Sequence, residues 1–161
     1  MGLFDKLFGR WKGRKEFEGY FRMLNGYTPV FSTYDGGVYE MELTRACIHT
    51  FATHCSKLKP NVTGSSGRRF QQILEHHPND LMSCSQFLYK AATIYDAQNT
   101  VFILPLLDQL DRIVGYYPAD PSMVEIVQAD DEPYLRYTFR SGERVAIELA
   151  RCGIVSKYLY H

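Results

Sequence analysis

No stretch of this 161-residue chain approaches the roughly 20 consecutive apolar residues that a membrane-spanning helix needs. The longest candidate, Val101 to Leu107, is broken by Pro105. A secretory signal is missing as well: the first segment has neither an uninterrupted apolar stretch nor a small-residue cleavage site, which predicts a chain that stays in the cytoplasm. Met1-Gly2 opens as a myristoylation site would, but Lys6 stands where that motif wants Ser or Thr. Cysteines are few. Cys47, Cys55, Cys84 and Cys152 are irregularly spaced, and in a cytoplasmic chain they are expected as reduced thiols in the core.

The patterns that carry chemistry are also missing. Neither a C-x-x-C nor an H-x-x-x-H pair occurs. Cys47 and Cys55 would stand about 12 Å apart along a helix axis and Cys47 and His54 about 10.5 Å, too far to share a zinc ion or a disulfide. Gly64-Ser65-Ser66-Gly67 lacks the Gly-Lys-Ser/Thr end of a phosphate-binding loop. Asp130, Asp131 and Glu132 precede Pro133 and read as a solvated hairpin tip, not as an acid/base pair. Cys84 with His76 or His77 is a candidate nucleophile–base pairing, but Cys84 sits inside an apparent capping box, where a small half-buried residue is expected. The expectation is a non-enzyme: no catalytic, metal or cofactor-binding residue, and no cofactor.

What is present is a balanced, globular composition, 45% hydrophobic and 22% charged, of a size that buries roughly 70% of the unfolded surface. Net charge is zero but unevenly spread. Residues 1 to 15 hold five basic residues against Asp5, so the remainder is net acidic, which argues against a dedicated nucleic-acid binder. Within that basic end, Leu3, Phe4, Leu7, Phe8 and Trp11 share one helical face. Residues 1 to 25 therefore read as an amphipathic arm. Gly9 and Gly13 weaken it as a free helix, so it is expected to order on docking, against protein in preference to a membrane surface.

Residues 26 to 161 read as one α+β domain. Residues 26 to 37 form an extended segment closed by the turn Asp35-Gly36-Gly37. From Val38 to Leu58 an amphipathic helix is predicted, its core stripe Leu43, Cys47, Ile48, Phe51, Cys55 and Leu58, its polar side Glu42, Arg45, His49, Thr53 and Ser56. Arg68 to Leu74 fits a short helix or a strand. After the turn His76 to Asp80, Ser83 and Gln86 have capping-box spacing for a helix burying Phe87, Leu88, Ala91, Ala92 and Tyr95. The period then becomes strand-like: 100 to 105 and 112 to 117 as a hairpin, then Met123 to Gln128, Tyr134 to Phe139 and Val145 to Leu149. Helices followed by a meander predict amphipathic helices packed on a mainly antiparallel sheet. A last strand, with an exposed edge from Ile154 to Tyr160, runs to His161 without a polar tail, which predicts a domain cut short at that end.

The order of landmarks resembles the N-terminal, wing part of tailed-bacteriophage portal proteins of the HK97-like type. The landmarks are Met1-Gly2-Leu3-Phe4-Asp5-Lys6-Leu7-Phe8, Leu24 to Phe31, Ser56-Lys57-Leu58, His77-Pro78-Asn79, Ser85-Gln86-Phe87-Leu88, Asn99 to Phe102, Tyr117-Pro118 with Pro121, Tyr134 and Cys152-Gly153-Ile154. Where the family has Gly-Asn-Ala-Tyr-like residues this chain has Gln98-Asn99-Thr100-Val101, so that turn lacks its glycine. The resemblance implies a homo-oligomeric ring, typically a dodecamer, at the capsid vertex. It packages and ejects DNA and works with capsid, scaffold, terminase and head-tail connector proteins, in the virion and the host cytoplasm. Members are more than twice as long, and the stem, clip and crown regions have no counterpart here, so direct DNA contact is not expected of this piece. Two other readings are a truncated prophage remnant and a small cytoplasmic Cys/His hydrolase.

Overall fold

A computed structural model describes residues 22–23 (backbone only), 42–64, 67–129 and 131–157. The order of elements is β1 (Arg22–Met23), α1 (Glu42–Cys55), α2 (Gly67–His76), α3 (Cys84–Gln98), β2 (Thr100–Leu107), β3 (Ile113–Ala119), β4 (Val124–Ala129), β5 (Glu132–Thr138), β6 (Arg144–Glu148) and β7 (Gly153–Ser156). The class is α+β, as the patterning predicts, and every strand pairing is antiparallel. The strands form two sheets where the sequence reading expects one, in the orders β1-β4-β5-β6 and β3-β2-β7. The arm, the segment 26–37 and residues 158–161 lie outside the described residues.

β2 holds the layers together. Strand alternation sends Phe102 and Leu104 to one face, where they join Ala119, Leu135, Tyr137 and Ile147 in a core shared by both sheets. The alternate residues turn to the other face, and α3 lies against β2 and β3. Burial on both faces explains why β2 reads as a continuous apolar run, and transferring such side chains from water contributes about 1.5–3 kcal/mol each. Pro105 is tolerated there for a geometric reason. Its partner Tyr116 directs its own N–H and C=O away from β2, to Pro78 and Asn79, so no ladder bond is asked of Pro105 on that side. On its other side β7 pairs only with Thr100 to Ile103.

Local signals account for the ends of α3. Ser83 accepts from the Gln86 N–H at 3.4 Å and the Gln86 side chain accepts from the Ser83 N–H at 2.9 Å, the reciprocal box expected from sequence. At the other end Asn99 takes the left-handed conformation (φ 60°), so the chain stops the helix without the glycine that the family pattern carries. Arg68 to Leu74, open between two states in sequence, is helical as part of α2. Its Gln71 accepts from the Val62 N–H at 2.6 Å and donates to the Pro60 carbonyl at 2.8 Å, holding the preceding loop.

α1 corrects the sequence reading. It is helical from Glu42 to Cys55, and it buries Ile48 and Ala52 against α3. The expected stripe is rotated: Leu43, Cys47, Phe51 and Leu58 are exposed. Periodicity ranks large apolar side chains, whereas the close approach to α3 selects the fully buried methyl of Ala52. Of the expected α3 face, Phe87 is buried and Leu88, Ala91, Ala92 and Tyr95 are half-buried, with Ile94 as the additional core residue. The last strand is also shorter than expected, ending at Ser156 within the described residues.

Candidate interaction surface

The residues with chemical potential are scattered. Among the described residues no three His, Cys, Asp or Glu side chains gather as metal ligands. All four cysteines are free thiols, and Cys47 is exposed instead of buried in the core. Burial, and then the carboxylate of Glu75, pushes the Cys84 thiol up, away from the thiolate that a nucleophile requires. Cys152 is pushed up to about 12 by burial and donates to the Glu148 carbonyl at 3.5 Å. His49 shares a 2.8 Å hydrogen bond with the Tyr89 hydroxyl across the α1–α3 seam. Asp131 sits at φ 65° in the β4–β5 connection and Glu132 is exposed beside it, in keeping with a solvated tip.

Most polar contacts instead fasten one layer to the next. Lys90 of α3 donates to the Tyr117 hydroxyl at 2.8 Å and lies 4.1 Å from the centre of that ring, joining helix to β3. Tyr137, buried beside Tyr117, is pushed up to about 12, chiefly by burial. At the C-terminal end of α3, Lys157 pairs with Asp96 while its N–H donates to the Asn99 carbonyl at 2.9 Å. A cation at that end suits the partial negative charge of the helix terminus. Arg151 donates to the Asp111 carboxylate and carbonyl, both at 3.0 Å, and so ties the turn after β2 to the chain following β6.

Among the described residues, two elements turn neighbouring apolar side chains outward. The first is α1, where Leu43 is 76% exposed, Leu58 63% and Phe51 42%, with Cys47 exposed between them. Large apolar side chains this exposed in one row amount to roughly 300–400 Å², the size of patch that commonly marks a contact surface. The second is β7, an edge strand whose Ile154 and Val155 are exposed. The opposite edge of the same sheet is protected: the Tyr116 N–H donates to Pro78 at 2.6 Å, and Asn79 donates to the Tyr116 carbonyl at 2.8 Å. Sequence periodicity finds the apolar residues of α1 but assigns them to the interior. The arm residues Leu3, Phe4, Leu7, Phe8 and Trp11 lie outside the described residues.

The fold has a counterpart among solved structures. A chain in a structure described as the neck of an empty GTA particle, computed with C6 symmetry, superposes with a TM-score of 0.59 over 76% of this chain, at 11% sequence identity. The likeness is one of fold. This chain spans 35% of the length of that one. No family model matches the sequence, and no curated protein matches it.

Proposed function

We propose that this chain is a structural component of a phage-like particle, the wing of a portal-type ring at the head-to-tail vertex, and that it performs no catalysis. The observation that carries the reading is the fold it shares, over most of its length, with a chain from a particle neck. The ordered landmarks from Met1 to Ile154 support the same assignment independently, because they are matters of sequence and the superposition is a matter of backbone. A dodecameric ring also contains the six-fold axis used for that neck.

The arrangement of the chain agrees with a scaffolding role. Its ion pairs and hydrogen bonds stitch one layer to the next. The body of the protein is net acidic, so a wing position outside the DNA channel makes no demand for phosphate contacts. Capsid, scaffold, terminase and connector proteins are the partners of such a ring, and the basic arm Leu3 to Trp11 would reach one of them or a neighbouring subunit.

Immunogold labelling of particles purified from the producing strain tests the reading. Label at a single vertex or neck of each particle is the expected result. Particles free of the chain, or decorated evenly over their shells, would refute it.

A further inference from the structure

Charge divides the chain between its layers. Residues 43–74, which span most of α1, the loop after it and most of α2, hold five basic residues and no acidic one, whereas residues 75–157 hold twelve acidic residues against seven basic. In the second part most cations are engaged: Arg112, Arg136, Arg151 and Lys157 pair with carboxylates, and Lys90 lies over the Tyr117 ring. Lys59, Arg68 and Arg69 are exposed and make no ion pair among the described residues. They share one surface. Arg68, Arg69, Gln72 and His76 fall within about 100° of the circumference of α2, away from Phe70, which packs on Tyr116. Gln71 donates to the Pro60 carbonyl at 2.8 Å, which brings Lys59 alongside the first turn of α2. Glu75, further along the helix, is engaged by Gln71 at 2.6 Å. Local stability does not account for two arginines in that first turn, because cations are unfavourable at the positive end of a helix.

The acidic residues have an end of their own. Asp131 and Glu132 are exposed at the β4–β5 connection, and Glu148, also exposed, stands in register with Tyr134, two residues from Glu132. Strand alternation and the antiparallel register put Glu132 and Glu148 on one face of the sheet. None of the three makes an ion pair among the described residues. α1 packs chiefly on α3, and α2 on α3 and β3, while β4, β5 and β6 pack chiefly on one another, so the two charged regions belong to different layers. We infer that the basic α2 face of one copy receives the acidic end of the next, Lys59, Arg68 and Arg69 lying against Asp131, Glu132 and Glu148. Exposed charge pairs add little affinity, but they fix which ends meet. Like ends repel, which disfavours a two-fold pairing through either face. The two faces differ, so the contact is head-to-tail, the kind that propagates around a cyclic axis. The inference rests on the ring reading of the proposed function and names one contact between neighbouring subunits. It is read in solution, whereas the ring reading is tested by the place of the label on particles, so either can fail alone.

The 161-residue chain is followed by sedimentation and light scattering through a concentration series, at low salt and again at about 1 M salt, where the screening length falls to about 3 Å. Concentration-dependent association that weakens in high salt is the expected result. Two double variants then separate the faces, Lys59→Glu with Arg68→Glu, and Glu132→Lys with Glu148→Lys. All four side chains are exposed and hold no ion pair among the described residues, so the far-ultraviolet spectrum should be unchanged. Each double variant alone should associate about tenfold more weakly than the original chain, because its basic face or its acidic end now meets like charge. An equimolar mixture of the two should recover association, since one variant then carries acidic charge at both ends and the other basic charge at both. The inference is overturned if the original chain is monomeric at every concentration in low salt, if salt leaves its association unchanged, if either variant alone associates as the original does, or if the mixture fails to recover.

Discussion

Gly115 is where the fold tolerates least change, and Gly115→Ala measures how tightly the helical layer is fastened to β3. A Cβ on Gly115 would stand 2.5 Å from the Pro78 carbonyl oxygen and 3.2 Å from Leu106 Cδ1. The first is a backbone atom in a loop pinned at both ends, so no rotamer change relieves it. The loop must move away from β3, which breaks the Tyr116 N–H to Pro78 bond (2.6 Å) and the Asn79 to Tyr116 bond (2.8 Å). Two such bonds contribute about 0.5–1.5 kcal/mol each, and stranding one buried group adds about 1–3 kcal/mol. Asn79, only 5% exposed, is that group. Gly115 has no positive φ, so alanine also removes unfolded-state entropy and returns about 0.4–1 kcal/mol. The net expectation is a loss of about 2–3 kcal/mol by urea unfolding, or roughly 4–12 °C in melting temperature. Asn79→Ala should cost less alone, and the double variant should cost clearly less than the two single losses added together, because both changes break one contact. A neutral or stabilised Gly115→Ala protein, or strict additivity with Asn79→Ala, would show that the loop does not bear on β3 as described.

Ser83→Ala removes the oxygen that caps α3 and should cost about 1 kcal/mol in the same assay, with Gln86→Ala milder because only the reciprocal bond is lost. The alkaline limb of stability should be set by Cys152 and Tyr137, both pushed up to about 12 from ordinary values of 9.0 and 10.0. The folded state holds these protons more tightly than the unfolded one, so their contribution is complete below the unfolded values and is lost as pH rises from 9 towards 12; Cys152→Ala should delay the onset. Asp108 is held below its ordinary 3.8, first by the Arg112 N–H and further by the Arg112 side chain and the Leu110 N–H. The β2–β3 turn is therefore kept in place above the unfolded value and should loosen as pH falls through the lower folded one, visible as faster amide exchange at Leu110 and Arg112 and abolished in Asp108→Asn. At neutral pH iodoacetamide should modify Cys47 first and Cys152 last, since the one is exposed and the other both half-buried and shifted up.

How far the fold can be read from the sequence depends on whether a local rule or a distant contact decides each element. Ser83 and Gln86 are three residues apart and settle the start of α3 between themselves, so the box is legible. The β2–β3 hairpin is equally local, closed by Asp108 accepting from the Leu110 and Arg112 N–H groups at 2.8 and 2.9 Å. The division of the strands into two sheets is not local. β7 returns across more than forty residues to pair with Thr100 to Ile103, and nothing in Gly153-Ile154-Val155-Ser156 names that partner over β6. The face of α1 fails for a related reason. Its apolar arc spans about twice the width that one neighbouring helix can cover, and sequence periodicity returns the arc without dividing it. Which half is buried is chosen by Ala52, whose small side chain admits α3 closely, and by the hydrogen bond between His49 and Tyr89 that fixes the rotation. The half left over, Leu43 to Leu58, is then the part of the pattern that the described fold does not consume, and a helix carrying an apolar row beyond its own packing needs is built to meet another surface.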